Sequence, residues 1–594
     1  MPRWRGIKMK HFNSQQMDYI ESSISSSIYL EACPGSGKTE VIAAKVAKEI
    51  NNWTLSPGGI ALLSFSNSAT DELFSRVKKY TPNTVSRFPH FIGTFDSFIF
   101  KFLINPNAKS LTNFEGECNN NTLRIIEAAS PLFIQTKYAY NKRGKIKAHH
   151  YTFDRKNDSI LFKSNNPELD RMRSTIDLKE WQVEDLIETK SKLFKSGLMT
   201  HDDSLFLAAE IFSNEQYKNY ASLLSKRFPL IIIDECQDLS YEHLLILQGL
   251  HDLGVKLHFV GDLDQSIYGF RAVDPEDTIK FIADNEFERL PLNINYRSCQ
   301  QIIDLCSQLT AHDGINGQFS SIEFPCIVLQ YNETPLELID KIGQLCFGYS
   351  NNVIVARGHS ILEKFTFNGI EDNIVKNLVT AINTFSLHGA QNIKNSLQLF
   401  STVIRARSNH PIRESKYNCP NEIESSVQWR NFLFYTLEYF IENKLNNFEL
   451  TWSKWCKNAN TILINLHKQP FVADELKSIV EEVFSLSIKA PSGLAKINVS
   501  EFTAIEKVNT ENYKFATIHS VKGETHDVTI LLSSSSNTGK TGSHWKQWIN
   551  NPNSEAARFA YVASSRPRYK LIWGVRKLKN NEIATLKKLG FTIM

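Results

Sequence analysis

Hydrophobic and polar positions along this chain alternate between two periods. Short apolar runs at residues 28–30 (IYL), 60–63 (IALL), 230–233 (LIII) and 352–357 (NVIVAR) have the length and β-branched content of buried strands. Several are followed by small polar or acidic residues and then by helically spaced stretches such as VIAAKVAKEI (41–50) and SATDELFSRVKKY (68–80). Residues 91–98 (FIGTFDSF), 259–271 (FVGDLDQSIYGFR) and 514–530 (KFATIHSVKGETHDVTI) repeat the theme of a strand ending in polar chemistry. Strands alternating with helices predict an α/β fold with parallel sheets, whose ligands lie at the carboxyl ends of the strands. Residues 105–200 read as a more polar, mostly helical insertion, and residues 385–500 as a second helical stretch, rich in Asn, Phe and Trp, that carries no chemical motif.

The candidate chemistry sits at those strand ends. Residues 28–40, IYLEACPGSGKTE, place Pro34-Gly35-Ser36-Gly37-Lys38-Thr39 between a strand and a helix, the context of a phosphate-binding loop. Its glycines let backbone N–H groups turn toward phosphate, the helix N-terminus adds a positive dipole end, Lys38 reaches the β- and γ-phosphates, and the Thr39 hydroxyl binds Mg²⁺. Ala32 stands where the first glycine of the strict pattern is usual. In LIIIDECQDL (230–239), Asp234 is the expected Mg²⁺ ligand and Glu235 the group that orients and deprotonates water. Gln265 is placed to sense the γ-phosphate or the attacking water, with Tyr268, Phe270 and Arg271 as a base-contacting loop directly after it. In LNINYRS (292–298), Tyr296 can stack on adenine and Arg297 can reach the γ-phosphate. Gln16, in FNSQQ, carries an amide that matches both edges of adenine. Phe65 and Phe95 are either base-stacking aromatics at strand ends or core residues. Residues 137–156, with Tyr138, Tyr140 and Tyr151 among lysines and arginine, are either a base-stacking surface or a solvated hairpin. Arg566, at the end of EAARFAYVASSRPR (555–568), has the place of an arginine finger reaching from a second domain into the first domain's site.

Bulk properties narrow the class without choosing it. At 594 residues the chain exceeds one core, and a net charge of +4 neither requires nor excludes nucleic acid. No apolar run approaches the roughly 20 residues of a membrane span, and the basic N-terminus lacks the apolar segment of a signal peptide. Nine scattered cysteines without metal-ligand spacing fit reduced thiols, so a cytoplasmic location without membrane contact is expected.

Taken in chain order, FNSQQ, ACPGSGKT, FSNSATDEL, GTFDSF, IIIDECQD, VGDLDQSIYGFR, NYRS, TIHSVKGE and EAARFAYVASSR resemble the motif series of superfamily 1 DNA helicases of the UvrD/Rep/PcrA group. The resemblance implies two RecA-like parallel-sheet cores facing each other across ATP. The first spans residues 1–104 and 201–290, interrupted by 105–200, and the second spans 291–384 and 501–594, interrupted by 385–500. It implies ATP hydrolysis coupled to 3′-to-5′ movement on single-stranded or partially duplex DNA and to strand separation. Gln16 and Tyr296 would hold adenine. Lys38, Thr39, Asp234, Glu235, Gln265, Arg297 and Arg566 would handle phosphate, Mg²⁺ and water. Phe65, Asn67, Thr94, Tyr268, Phe270, Arg271 and His519 would line the DNA track. Asp96 stands where the group usually has His, Glu40 where it often has Arg, and KGETHD replaces KGLEF, which leaves Glu524 or Thr525 as the ribose contact. The second insertion is short for the group, and little chain follows the last motif. A compact chain of this kind also resembles the helicase-like subunit of Gabija-type anti-phage systems. Its implied alternative is a nucleic-acid-sensing ATPase that regulates an OLD-type nuclease partner with little unwinding.

Overall fold

The computed structural model describes residues 12–81, 88–116, 122–140, 144–164, 166–267, 269, 273–319, 323–358, 361–362, 373–411, 417–500, 513–538 and 542–594. Two six-stranded parallel sheets organise it. The first contains β1 (Ile28–Ala32), β2 (Ile60–Ser64), β3 (Phe91–Thr94), β4 (Leu230–Asp234), β5 (Lys256–Gly261) and β6 (Glu288–Leu292), in the spatial order β6-β1-β5-β4-β2-β3. Strands β2 and β4 are buried along their whole length, which requires cover on both faces. Alternation of side chains supplies the two layers. Leu230 and Ile232 join Ile28, Leu30 and Val41 on one face, while Ile231 and Ile233 join Phe98 and Leu247 on the other. Pro291 is tolerated because β6 is an edge strand that pairs with β1 alone. Helices α1 (Ser14–Glu21), α2 (Lys38–Asn51) and α3 (Asn67–Tyr80) belong to this core.

A parallel ribbon of β7 (Ile294–Cys299) and β8 (Asn316–Phe319), with α4 (Gln300–Thr310) between them, leads into the second core. Its sheet contains β9 (Cys326–Tyr331), β10 (Asn352–Ala356), β11 (Lys514–Thr517), β12 (His526–Leu532), β13 (Pro567–Arg576) and β14 (Thr592–Ile593), in the order β11-β10-β12-β13-β9-β14. The strand expected at the start of 514–530 is β11, and a turn that carries His519 and Lys522 separates it from β12. Helix α5 (Glu555–Ser564) covers one face and ends two residues before Arg566. Trp573 anchors that face: it is fully buried, lies 5.0 Å from Trp548 and 4.6 Å from Phe591, and donates its indole N–H to Ser564. Trp573→Ala is expected to destabilise the second core by about 3–5 kcal/mol, the usual cost of removing a large buried ring. Urea unfolding followed by tryptophan fluorescence measures this, and an unchanged midpoint would contradict it.

Two lobes interrupt the cores. In the first, Tyr140, Ile146, Tyr151, Phe162 and Leu186 form a small core of their own. The base-stacking reading of residues 137–156 is corrected here for two of its three tyrosines. Tyr140 and Tyr151 are buried, and their hydroxyls donate to the Gln182 and Leu186 carbonyls at 2.7 and 2.6 Å. Only Tyr138 is exposed, packed edge-on against Trp181, while Lys142 and Arg143 lie outside the described residues. The second lobe is helical as expected. Its helices include Ile374–Ser386, Ala390–Arg405, Ser426–Glu442, Trp452–Leu463 and Asp474–Ser485, packed around Trp429, Trp452 and Trp455. Its packing thus takes in residues from 374. Among the described residues no helix is long and apolar enough to cross a membrane.

Candidate nucleotide and nucleic-acid sites

The loop between β1 and α2 has the conformation its glycines predict. Gly35 and Gly37 have φ of 73° and 81°, a region costly for any side chain. A Cβ on Gly35 would also lie 2.6 Å from the Arg297 Cβ and 2.9 Å from Asn295 Oδ1, so the second core's approach to the loop requires glycine there. Tyr296 N–H donates to the Gly35 carbonyl at 2.9 Å, tying that approach to the backbone. Gly37 caps α2, whose first residue is Lys38. The Ser36 hydroxyl is buried and has no partner within the protein, as expected of a donor in a cradle for phosphate oxygens. Gln16 reaches the phosphate loop. Its Nε2 donates to the Ser36 carbonyl at 2.9 Å, and its Oε1 accepts from Asn13 N–H in a capping box at the start of α1. The Gln16 amide thus links the start of α1 to the phosphate loop.

Strand β4 ends in the two acids. Lys38 Nζ lies 2.6 Å from Glu235 Oε1 and 3.8 Å from Asp234 Oδ1. Glu235 has φ of 59°, an unusual backbone for a non-glycine residue, at the point where the strand gives way to the turn Cys236–Asp238. Burial pushes both carboxyls upward, with unequal results. Asp234 is raised to about 7, whereas Lys38, followed by Lys522, overrides burial at Glu235 and holds it at about 2. Gln237 also donates to Glu235 Oε2. Thr39 and Asp234 line the same cleft and offer hard oxygen donors suited to a small divalent cation, whose charge would return the buried Asp234 to its anionic form.

The second core closes this cleft, which has a volume of about 400 Å³. Gln265, Tyr296, Arg297 and Arg566 all line it together with Lys38, Asp234 and Glu235. Arg566 is buried and donates to the Val562 carbonyl at 2.7 Å, to Gln265 Oε1 at 2.5 Å and to Ser565 Oγ at 3.1 Å. Gln265 in turn donates to Asp262, which also accepts from Tyr561 of α5 at 3.0 Å. Arg297 Nη1 donates to the Ser565 carbonyl, and burial, reinforced by the neighbouring Arg566, lowers its pKa to about 9. Two guanidinium groups thus line the same cleft as Lys38. Tyr296 is 37% exposed, with its hydroxyl accepting from Asn13 Nδ2 at 2.7 Å.

The other candidates occupy the neighbouring strand ends of the first sheet. Phe65 follows β2, Asn67 is the exposed first residue of α3, and Thr94 ends β3 and caps the following helix. Of the two phenylalanines, only Phe65 is partly exposed. Phe95 is buried beneath it, with ring centroids 6.2 Å apart, and His243 packs against both at 5.6 and 4.5 Å. Phe95 is thus a core residue that supports Phe65. On the second core, His519 bonds to the Ile267 carbonyl through Nε2 and to Arg357 through Nδ1. Tyr268, Phe270 and Arg271 lie outside the described residues.

Residues 12–286 match the family model for the UvrD/REP helicase N-terminal domain. Over that stretch the chain is similar to the N-terminal domain of UvrD/REP helicases. It is 25% identical over 499 residues to the ATP-dependent DNA helicase Rep of Buchnera aphidicola (subsp. Schizaphis graminum), covering 78% of this chain and 72% of that protein. It is 26% identical over 312 residues to DNA helicase II of Haemophilus influenzae, covering 51% and 40% respectively. It is 23% identical over 310 residues to the ATP-dependent DNA helicase PcrA of Leuconostoc citreum, covering 51% and 39%. The chain therefore spans less than half the length of the latter two relatives.

Set beside the motif series that the sequence resembles, the departures acquire structural explanations. Glu40, in place of the usual Arg, is buried and bound by Tyr80 and by Arg76 of α3. Arg76 itself lines the cleft, so a guanidinium is supplied there from another helix. Its Glu72–Arg76 spacing of four was visible in the sequence, but its reach to the cleft was not. Asp96, in place of His, lies 3.6 Å from His201. In KGETHD, Thr525 lines the cleft, whereas Glu524 is engaged by Lys514 and His526. Arg568, two residues beyond Arg566, also lines the cleft and was not anticipated.

Proposed function

We propose that this chain is an ATP-driven DNA helicase that steps 3′ to 5′ along single-stranded DNA. The observation that carries the reading is that Lys38 and Glu235 of the first core and Arg566 of the second line a single cleft. In this reading the loop amides and Lys38 bind the triphosphate, and Thr39 and Asp234 hold Mg²⁺. The cation would neutralise phosphate charge in the transition state. Lys38 has two suitors: a triphosphate in the loop competes with Glu235 for the same ammonium. Its transfer to phosphate frees Glu235 to take a proton from water, which Gln265 orients. Arg297 and Arg566 stabilise the charge that develops on the γ-phosphate. Tyr296 offers a face to adenine. Phe65, Asn67, Thr94 and His519 form the DNA side, on strand ends adjoining those that hold the nucleotide, so that core closure around ATP displaces one half of the DNA surface against the other.

Strand displacement on partial duplexes with a 3′ or a 5′ single-stranded tail tests this, using the full chain with ATP and Mg²⁺ and Lys38→Ala as control. The expected result is release of the labelled strand from the 3′-tailed substrate only, abolished in Lys38→Ala. Equal release from both substrates, or release that survives the substitution, would overturn the reading. ATP hydrolysis without release from either would leave a nucleic-acid-dependent ATPase that does not unwind.

A further inference from the structure

The turn joining β11 and β12 belongs to the second core but reaches both candidate sites. At its start, His519 bonds to the carbonyl of Ile267, which lies in the first core's segment after β5. Three residues later, Lys522 Nζ sits 2.6 and 2.7 Å from the two carboxylate oxygens of Asp238. This ion pair crosses between the cores and is nearly sealed from water, with side-chain exposures of 9% and 8%. Asp238 closes the short helical turn Cys236–Asp238 that begins at Glu235, and its N–H donates to the Glu235 carbonyl at 2.9 Å. The same turn carries Gln237, whose amide holds Glu235 Oε2.

We propose that Lys522 is a positioning residue for Glu235: by clamping Asp238, it fixes the turn that aims the Glu235 carboxylate, and it does so only when the second core is docked. The inference rests on the ATPase reading above and deepens it. One rigid turn then ties the DNA-side residue His519 to the geometry of the water-activating group. Lys522 also contributes field, being the strongest cationic influence on Glu235 after Lys38. The other charged groups facing Glu235 are Asp234, Asp238, Arg297 and Arg566. Losing Lys522 removes the cation that opposes burial at Asp238, so its carboxyl either takes up a proton, and loses the charged clamp, or draws the Cys236–Asp238 turn toward solvent.

The test is steady-state ATP hydrolysis with saturating single-stranded DNA for the full-length wild type, Lys522→Ala, Lys522→Arg, Asp238→Asn and the double variant Lys522→Ala/Asp238→Asn. Lys522→Ala should lower kcat by about 10²-fold, the scale of an ångström-level misplacement, with KM for ATP unchanged. Lys522→Arg, which can grip the carboxylate through two N–H groups, should recover most of the loss. The double variant should be no worse than Lys522→Ala alone, because both substitutions break the same clamp. It buries no lone charge, so it and Lys522→Arg decide the matter if Lys522→Ala melts below the assay temperature. Wild-type kcat in Lys522→Ala, a loss confined to KM, or additive losses in the double variant would overturn the proposal. If the wild type hydrolyses no ATP, the underlying reading fails; if it does and Lys522→Ala matches it, only this inference falls.

Discussion

Replacing Arg566 with alanine is expected to lower kcat for ATP hydrolysis by about 10³-fold or more, the usual consequence of losing an arginine that meets the transferring phosphoryl group. Arg566 arrives from the second core, yet its guanidinium lies 2.5 Å from Gln265 of the first. Its other donors grip Val562 and Ser565 at the end of α5, so the charge is already aimed and little reorganisation accompanies reaction. Lysine should not rescue it, because a single ammonium cannot serve Val562, Gln265 and phosphate with the fixed fork that a guanidinium presents. ATP binding should fall far less than turnover, since Lys38 and the loop lie in the other core. Steady-state kinetics beside a nucleotide-binding isotherm separate the two. A variant that keeps wild-type kcat, or that fails to bind ATP at all, would contradict this role.

Glu235→Gln is the second large effect, expected to reduce kcat by about 10²- to 10⁴-fold while nucleotide affinity is retained or raised. The amide is isosteric and imposes no new backbone demand at the positive φ of residue 235. It cannot accept a proton, however, and it relinquishes the charge that draws Lys38 away from phosphate. The pH dependence follows from the sign of the shift. Lys38 and Lys522 hold Glu235 far below the ordinary carboxylate range, so it is ionised at every pH from mildly acidic to alkaline. That holds while Lys38 is paired with Glu235. In this state the contribution of Glu235 to stability is present above the ordinary Glu pKa and is lost only as pH falls toward about 2. Transfer of Lys38 to phosphate removes the larger of the two cationic influences, so that the pKa of Glu235 rises and it becomes a stronger base. A variant with wild-type turnover would exclude Glu235 as the base.

Much of the first core could be read from the chain because its chemistry is local. The apolar run, the glycine pair and the amphipathic helix of residues 28–50 are contiguous, and Asp234 and Glu235 stand at the end of their strand. What could not be read depends on partners distant in sequence. Lys522 and Asp238 are separated by 284 positions, and nothing in SVKGE marks its lysine as half of a buried pair. Phe95 looks like Phe65 in sequence, and only the helix bearing His243 decides that one supports the other. Gln16 differs in kind. Asn13 and Gln16 have the spacing of a capping box, so the use of the amide at the start of α1 was legible in the sequence. The tyrosines at 140 and 151 sit among charges, but each hydroxyl meets a carbonyl of the helix Glu180–Lys195, which allows the rings to be buried.

Stimulation of ATP hydrolysis by single-stranded DNA tests most directly whether the two cores form one nucleotide cleft coupled to a nucleic-acid surface. The initial rate should be low for the chain with ATP and Mg²⁺ alone and should rise severalfold, saturably, as an unstructured DNA oligomer is added. A rate that is the same with and without DNA, in a preparation that binds both, would contradict the account.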